Sequence, residues 1–335
     1  MPRCLITGGA GFIGSHLSEA LLAEGHHVTV VDDQSTGSLT NLDSVANHPN
    51  FRFVAGSVSD KSLVQELVAQ TDQVYHLAAA VGVALISREP IETIERNIYP
   101  TELLLAEIQR RHAAGHPIRM FLASTSEVYG KNPKPKWTEE DDLVFGATTK
   151  PRWSYGASKA IDEFLCLAYW YQKQTPIVVG RFFNVVGPRQ TGTYGMVLPR
   201  FIDAALAGRP LTVHHNGSQV RCFAHVSDVI RAIVGLMKSD ETVGEVYNIG
   251  GDVPVTILEL AQMVIDEVDP SLEVNFQTYE QAYNASFEDI PHRVPDLTKL
   301  NQCLGYEPTF DLRGIVQDVV RWKKEQGTTG SATPI

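Results

Sequence analysis

The sequence is poor in cysteine, in long apolar runs and in positive charge. Its 335 residues include four cysteines, all far apart and without a C-x-x-C pair, which argues against a disulfide framework or a zinc site and indicates a reducing compartment. No apolar run approaches the roughly 20 residues that cross a bilayer, and a first strand predicted from Arg3 leaves no room for a signal peptide. The net charge of -11 lacks the clustered Lys and Arg of a nucleic-acid-binding protein. We therefore expect a cytoplasmic protein without a nucleic-acid or membrane partner.

The first half of the chain alternates short β-branched runs with longer helical patterns. Runs that are apolar on both faces and separated by helices are typical of a parallel sheet covered on both sides. Such runs occupy residues 4–7, 28–31, 74–79, 120–125 and 177–182, and the first helix is predicted at 12–24. The pattern predicts an α/β fold with a Rossmann-type, doubly wound parallel sheet, which binds ligands at the carboxyl ends of its strands.

The pattern changes after about residue 187. Loops rich in Gly, Pro and Arg become frequent, with helices predicted at 199–207 and 257–268 and a return to the sheet at 246–249. We predict a Rossmann domain and a smaller C-terminal α/β substrate-binding region. The predicted boundaries are 1–184 for the Rossmann domain, with 222–249 returning to it, 185–221 and 250–326 for the substrate-binding region, and 327–335 for a flexible tail.

A glycine-rich segment, TGGAGFIG at 7–14, follows the first strand and opens the first helix. Gly9, Gly11 and Gly14 satisfy G-x-G-x-x-G, and Gly8 completes an alternative G-x-x-G-x-x-G. Glycines at these positions allow a tight turn and close approach to a pyrophosphate at the helix N-terminus.

Two acids end the second predicted strand and indicate which dinucleotide binds. Asp32 is placed to accept hydrogen bonds from the ribose hydroxyls of an adenosine, and it would repel a 2′-phosphate. Asp33 adds to that repulsion, and no Arg lies beside the pair. The sequence therefore favours NAD over NADP.

The segment YGASK places Tyr155 and Lys159 on one helical face, four residues apart. A free tyrosine has a pKa of about 10, too high for a base near neutral pH. A neighbouring ammonium and a positive nicotinamide both favour the phenolate. Tyr155 could then accept a hydroxyl proton while hydride leaves for the cofactor.

Four motifs now occur in the order of a known family. TGGAGFIG, STSEVYG at 124–130, YGASK and RFFNVVGPR at 181–189 resemble the extended short-chain dehydrogenase/reductases, from Arg3 to about Trp322. The resemblance implies tightly held NAD, a nucleoside-diphosphate sugar in the C-terminal cleft and a homodimer built through a four-helix bundle. The cofactor would contact Gly8, Gly11, Phe12, Ile13, Gly14, Asp32, Asp33, Val58, Leu77, Ala78, Ala79, Asn97, Ser124, Tyr155 and Lys159.

One cofactor contact departs from the family pattern. Ser57 stands where the family usually has an Asp near the adenine amino group, and Asp60 lies three residues further along.

The segment STSEVYG narrows the class of reaction. By resemblance, Thr125 holds the 4-hydroxyl of the sugar beside the tyrosine. Ser126 and Glu127 match the Ser-Glu pair of nucleotide-sugar decarboxylases, whereas dTDP-glucose dehydratases have Asp in place of Ser. GDP-mannose dehydratases share Thr-Ser-Glu, so this segment alone leaves the reaction open.

Two longer segments resemble one decarboxylase more closely. TKPRWSYGASK at 149–159 and FEDIPHRVPD at 287–296 resemble the domain that acts on UDP-glucuronic acid in lipid A modification. That match places Arg293 near C5 of the sugar, while related epimerases use an arginine in the same loop to bind the diphosphate. Both roles stay open for Arg293.

The remaining substrate contacts also come from the resemblance. Asn184 and Arg221 match family positions that bind the diphosphate, and Val197 is a further predicted substrate contact. His214 and His215 replace a usual Tyr-Gly, so they either stack near the base or end a strand; we favour the second interpretation.

The leading hypothesis is NAD-dependent decarboxylation of UDP-glucuronic acid through a 4-keto intermediate, giving UDP-xylose or the UDP-4-keto-pentose. The alternatives are a nucleotide-sugar 4-epimerase and, less favoured, a 4,6-dehydratase. A redox sensor without catalysis is disfavoured because Thr125, Tyr155 and Lys159 are all retained.

Overall fold

The computed structural model describes residues 1–80, 90–192, 195–282 and 288–329. At its centre lies a seven-stranded parallel sheet with the order β3-β2-β1-β4-β5-β6-β11. These strands are β1 (Arg3–Thr7), β2 (His27–Asp32), β3 (Phe51–Ala55), β4 (Gln73–His76), β5 (Arg119–Thr125), β6 (Ile177–Phe182) and β11 (Val246–Ile249). The predicted Rossmann-type sheet is confirmed, including the return of the chain at 246–249.

The order of the strands reverses beside β1, which pairs with β2 on one side and β4 on the other. Thr7, the last residue of β1, lies opposite Val31 and His76. A crevice opens where the order of a parallel sheet reverses, at the carboxyl ends of the strands. The glycine-rich segment follows Thr7 directly and therefore enters this crevice.

Helices pack on both faces of the sheet and in the C-terminal region. They are α1 (Phe12–Ala23), α2 (Lys61–Ala69), α3 (Pro90–Ala113), α4 (Ser154–Lys173), α5 (Val197–Leu206), α6 (Val226–Lys238), α7 (Ile257–Val268), α8 (Tyr279–Ala282), α9 (Thr298–Leu304) and α10 (Leu312–Thr329). Of the predicted helices, the one at 257–268 has the predicted bounds, and the one expected at 199–207 begins two residues earlier, at Val197.

The C-terminal region is built from small sheets around its own apolar core. Its remaining strands are β7 (Val185–Val186), β8 (Leu211–His214), β9 (Val220–Arg221), β10 (Ala224–His225), β12 (Val255–Thr256), β13 (Val274–Gln277) and β14 (His292–Arg293). β9 pairs with both β12 and β14, β8 with β13, and β7 with β10. Buried side chains from α5, α7, α10 and β8 form one cluster, which holds this region together.

The last helix continues into the segment predicted as a flexible tail. α10 continues to Thr329, so residues 327–329 are helical. The rest of the predicted tail, 330–335, lies outside the described residues.

A buried ion pair fixes α4 to the sheet. Arg181 of β6 donates to both carboxylate oxygens of Glu163, at 2.8 Å from Nη2 and 3.1 Å from Nε, and to the Glu139 carbonyl at 3.0 Å. Its guanidinium also lies over the Tyr129 ring, 4.7 Å from the centroid. The Ser124 hydroxyl donates to the same carboxylate. The Glu163 side chain therefore joins α4 to both β5 and β6.

We expect Arg181→Met to lower the free energy of unfolding by about 3–5 kcal/mol, because it leaves the Glu163 carboxylate buried without a counter-charge. The matched control is Arg3→Met, which removes an arginine from the exposed pair with Asp72 and should cost at most about 1 kcal/mol. Urea unfolding of both variants measures the difference. Equal losses would contradict a fixing role for the Arg181–Glu163 pair.

Candidate functional site

A cavity of about 470 Å³ runs from the glycine-rich segment into the C-terminal region. Most residues predicted to bind ligand line it: Gly8, Gly11, Phe12, Ile13, Gly14, Asp32, Leu77, Ala78, Ala79, Ser124, Thr125, Glu127, Tyr155, Asn184, Val197, Arg221 and Arg293. The other predicted site residues, Asp33, Val58, Asn97, Ser126 and Lys159, lie outside its lining. The structure thus brings the cofactor motif and the predicted substrate residues to one continuous space.

The glycines of the first loop are required by space. Gly8 has φ +69°, and a Cβ there would lie 2.8 Å from the Ala78 amide nitrogen. A Cβ on Gly14 would lie 2.5 Å from the Gly8 carbonyl oxygen. α1 begins just after Gly11, and no side chain caps it. A closely approaching pyrophosphate at a positive helix end therefore fits this loop.

Asp32 lies where the sequence places it, at the end of β2. Its carboxylate accepts the amide hydrogens of Ala10 at 3.0 Å and Gln34 at 2.7 Å, and the side chain is buried at the cavity wall. Burial raises the pKa of Asp32, while the two amides oppose that rise. Asp33 instead accepts from the Ser35 amide at 2.9 Å and does not line the cavity.

Asp60 is the acid that follows Ser57 most closely in the chain, and its carboxylate makes local hydrogen bonds. Asp60 caps α2, accepting hydrogen bonds from the amides of Ser62 at 2.8 Å and Leu63 at 3.1 Å. The Asp60 carboxylate is engaged in the helix cap, so it is not free to take the place of the Asp that the family usually has at position 57.

Tyr155 and Thr125 both line the cavity and lie within hydrogen-bond distance of each other. Tyr155 is 9% exposed at the start of α4, and Thr125 ends β5. Burial raises the pKa of the phenol, and the Glu127 carboxylate raises it further, while a side-chain hydrogen bond with Thr125 lowers it. Proton removal by this tyrosine therefore depends on positive charge brought close to it.

Lys159 makes an ion pair that the sequence analysis did not anticipate. Its ammonium donates to Asp162 Oδ2 at 2.8 Å, and both side chains are buried. The signal was an acid three residues after the lysine on the same helix. Lys159 therefore lies behind the cavity wall, next to Asp162.

Asn97 supports the site from behind the wall. Its Oδ1 accepts from the Ala80 amide at 2.8 Å, and its Nδ2 donates to the Ser158 hydroxyl at 3.0 Å. One amide side chain on α3 thus joins the segment after β4 to the catalytic helix α4.

Glu127 lies between two arginines. Arg152 Nη1 donates to Oε2 at 2.5 Å and Arg293 Nη1 to Oε1 at 3.1 Å, while Arg293 Nη2 donates to Asn184 Oδ1 at 2.5 Å. Burial would raise the pKa of Glu127, but the charges of Arg152 and Arg293 hold it below its ordinary value. Glu127 is therefore an ionised carboxylate.

The three side chains of this cluster, Arg152, Glu127 and Arg293, include two positive charges and one negative charge. One carboxylate, Glu127, faces two guanidinium groups, and its side chain is only 14% exposed. Counted over these three side chains alone, the charges sum to +1, since arginine stays protonated in proteins. Sequence reasoning missed Arg152, although it lies in the segment 149–159, three residues before Tyr155.

A second buried polar group lies beside Glu127. The Ser126 hydroxyl has no hydrogen-bond partner among the described residues and is only 1% exposed as a residue. Ser126 is thus adjacent to the cluster without lining the cavity.

The C-terminal wall holds a chain of polar side chains. Arg221 Nη2 donates to Asp289 at 3.1 Å, the Tyr279 hydroxyl donates to the same carboxylate at 2.5 Å, and Gln219 donates to Tyr279. Burial, aided by the nearby Arg293 charge, lowers the pKa of Arg221 to about 10. Tyr279 and Asp289 were absent from the sequence-based site, because no motif joins them to Arg221.

The two histidines end a strand and also contact the cavity. β8 ends at His214, so that interpretation is confirmed, and His215 follows with φ +56°. His214 lines the cavity, and the His215 ring stacks on Tyr279 with centroids 5.9 Å apart. Ending the strand and lying near a ligand are therefore compatible here.

Two other classes of site, a membrane-spanning helix and a metal cluster, are absent from the part of the chain that the structure describes. No helix there combines the length and apolar character that a membrane crossing requires. Nor do three or more His, Cys, Asp or Glu side chains gather there in a group that could hold a metal ion.

Comparison with known proteins gives consistent matches over nearly the whole chain. The family model described as GDP-mannose 4,6 dehydratase matches residues 5–319. A UDP-N-acetyl-alpha-D-glucosaminuronate decarboxylase of Bacillus cytotoxicus is 41% identical over 325 residues, 96% of this chain and 98% of that protein. UDP-glucuronic acid decarboxylase 1 of Danio rerio is 37% identical over 310 residues, 92% of this chain and 70% of that protein.

Solved structures agree with these matches. The UDP-glucuronic acid 4-epimerase of Bacillus cereus, in complex with UDP-glucuronic acid and NAD, is similar with a TM-score of 0.85 and 29% identity, covering 97% of this chain and 99% of that one. The dTDP-glucose 4,6-dehydratase of Streptomyces venezuelae, also with NAD bound, has a TM-score of 0.86 and 29% identity, with 98% of each chain covered.

The glycine loop, Tyr155 beside Thr125 and the continuous cavity agree with these matches. The chain therefore belongs to the extended short-chain dehydrogenase/reductases, the family of NAD-dependent enzymes that epimerise, dehydrate or decarboxylate nucleotide sugars.

Proposed function

We propose that the protein decarboxylates a UDP-linked hexuronic acid in an NAD-dependent reaction, with UDP-glucuronic acid as the first candidate substrate. The observation that carries this proposal is the pair of guanidinium groups, Arg152 and Arg293, that flank Glu127 at the wall of the cavity that Tyr155 also lines. Guanidinium groups bind a carboxylate through charge-assisted hydrogen bonds, and a neutral hexose has no carboxylate to offer them. The curated relatives named as decarboxylases support the same reaction.

In this proposal Tyr155 removes the proton from the C4 hydroxyl, which Thr125 holds through its own hydroxyl. Gly8, Gly11, Gly14 and Asp32 would hold NAD, which when bound would supply the hydride acceptor for C4. The new 4-ketone is β to the C6 carboxylate, so carbon dioxide leaves and the ketone stabilises the enolate. Lys159 acts behind Tyr155, through its charge.

The two arginines have distinct tasks in this reaction. Arg152 keeps Glu127 ionised from one side, and Arg293 joins Glu127 to Asn184 from the other. Arg293 thus lies between Glu127, whose charge acts on Tyr155, and Asn184, which is expected at the diphosphate. This position is compatible with protonation at C5 and with binding of the diphosphate, and both roles are kept in the proposal.

A second candidate substrate has its own support. The relative from Bacillus cytotoxicus, 41% identical, is named for a uronate with an N-acetyl group. UDP-N-acetylglucosaminuronic acid carries the same C6 carboxylate and C4 hydroxyl, so the same residues would act on it. The product is then a UDP-linked 2-acetamido pentose, or its 4-ketone.

The first experiment incubates the protein and NAD with each of the two UDP-uronic acids, with UDP-glucose as the uncharged control. We expect a product lighter by one carbon dioxide from at least one uronate, detected by mass spectrometry, and no loss of mass from UDP-glucose. The favoured uronate identifies the C2 group that the site accepts. A new product of unchanged mass from a uronate would contradict the proposal and indicate a 4-epimerase.

A second prediction concerns Glu127. Glu127→Gln removes the carboxylate between Arg152 and Arg293, so the two guanidinium groups lose their shared counter-charge and the carboxylate beside the sugar is lost. We expect the rate of carbon dioxide release to fall on the order of 100-fold or more. Stopped assays of carbon dioxide release and of nucleotide-sugar product measure this loss.

The matched control for Glu127 is Glu288→Gln. Glu288 accepts hydrogen bonds from Trp153 Nε1 at 2.9 Å and Lys131 at 3.2 Å, yet it does not line the cavity. Its variant should retain most activity. A fully active Glu127→Gln enzyme would exclude Glu127 from decarboxylation and favour the epimerase alternative, which does not need this acid.

The proposal includes a homodimer formed through α3 and α4, which pack against each other. Ile161, Phe164 and Tyr171 of α4 form an apolar stripe at helical spacing, and they are 45%, 69% and 70% exposed. On α3, Ile94 is also exposed, at 39%. A large exposed apolar surface is typical of a contact between subunits.

We expect Phe164→Glu to convert the dimer to a monomer in analytical ultracentrifugation, because it puts a charge at the centre of the stripe. The control is Phe276→Glu, which changes a comparably exposed phenylalanine (54%) on β13, outside α3 and α4. Phe276→Glu should stay dimeric. A wild-type protein that sediments as a monomer would refute this part of the proposal.

A further inference from the structure

Asp162 is a buried acid that the reaction described above does not use. It lies on α4 with 0% exposure, and Lys159, its ion-pair partner, is 2% exposed. The Thr101 hydroxyl of α3 also lies close to the Asp162 carboxylate. The ammonium of Lys159 is a buried charge, and Asp162 supplies its counter-charge at hydrogen-bond distance. Burial raises the pKa of Asp162, and the Lys159 ammonium opposes that rise. An ionised Asp162 offsets the positive charge that would otherwise act on Tyr155 in full.

The spacing places three chemical groups on one face of α4. Tyr155, Lys159 and Asp162 follow one another at i, i+4 and i+7, two turns of helix in all. The lysine thus has the phenol one turn before it and the carboxylate one turn after it. Its hydrogen bond, at 2.8 Å, goes to the carboxylate.

We propose that Asp162 is a positioning residue that holds the Lys159 ammonium and offsets its charge, and thereby sets the pH above which Tyr155 works as the base. The inference rests on the proposed role of Tyr155 in proton removal. Lys159 supports the phenolate through its positive charge, and a carboxylate bonded to that ammonium weakens this support. Asp162 therefore shifts the onset of activity to higher pH.

The charges around this helix face agree in sign with the proposal. The Asp162 charge adds to burial and to Glu127 in raising the pKa of Tyr155. Burial, with the Lys159 charge, lowers the pKa of His76 to about 3, so this ring stays neutral at working pH. The other titratable or charged groups facing Lys159, Asp162 and Tyr155 are Glu163 and Cys166 of α4, Arg181 of β6, Glu127 after β5 and Arg293 of β14.

The test is Asp162→Asn, which keeps an oxygen acceptor for Lys159 and removes the charge. With less negative charge near Tyr155, the phenolate forms more easily, so the acid limb of the kcat–pH profile should move down by roughly half a unit to one unit. At pH values on that limb, kcat should rise relative to the wild type. Thermal melting of each variant confirms that it is folded, and Asp162→Ser replaces it if the Asn variant does not fold.

The matched control is Glu107→Gln. Glu107 is a buried acid on α3, 7% exposed, that accepts from Arg110 at 2.7 Å and Gln65 at 2.8 Å, away from the cavity. Its variant loses a buried charge in the same way, and its acid limb should not move. An unmoved acid limb in folded Asp162→Asn or Asp162→Ser, or a limb moved upward, would overturn the inference and leave the ion pair as a structural contact.

This experiment separates failure of the inference from failure of the proposed function. The acid limb is measured on whichever nucleotide sugar is turned over, by NADH formation or by product, since all reactions of this family begin with the same oxidation. Turnover of a neutral sugar without carbon dioxide release would refute the decarboxylase proposal, yet a shifted limb in that assay would still support the role of Asp162.

Discussion

The ion pair between Glu163 of α4 and Arg181 of β6 holds α4 in place against the sheet. This helix begins with Tyr155 and carries Lys159 and Asp162, so its position decides whether the phenol meets Thr125 at the end of β5. Arg181 reaches Glu163 from β6, and Ser124 reaches it from β5. The catalytic groups are therefore placed by a buried polar contact with two adjacent strands, in addition to apolar packing.

The sequence was sufficient for features that depend on neighbours along the chain. The parallel sheet follows from runs that are apolar on both faces. The dinucleotide loop follows from the spacing of its glycines, and the structure has no room for a Cβ at Gly8 or Gly14. Thr125, Glu127 and Tyr155 lie in short motifs, and the structure brings them to one cavity.

Features that depend on partners far apart in the chain could not be predicted in the same way. Arg152 and Arg293 meet at Glu127, and Tyr279 meets Asp289 beside Arg221, only after the C-terminal region has folded. By contrast, the capping role of Asp60 and the pairing of Asp162 with Lys159 are local contacts, two or three residues apart, and the spacing of these acids is a signal for them in the sequence. Motifs thus identify the reacting groups, whereas the charges that tune them come from the tertiary structure.

Asn97 gives the site a further property. Its amide is bonded on one side to the segment after β4, beside Leu77, Ala78 and Ala79 at the cavity wall, and on the other side to Ser158 of α4. A dinucleotide in contact with that segment and a sugar in contact with α4 would thus both lie next to elements that Asn97 holds. These two parts of the site therefore share one support, and a change in the Asn97 side chain would disturb both.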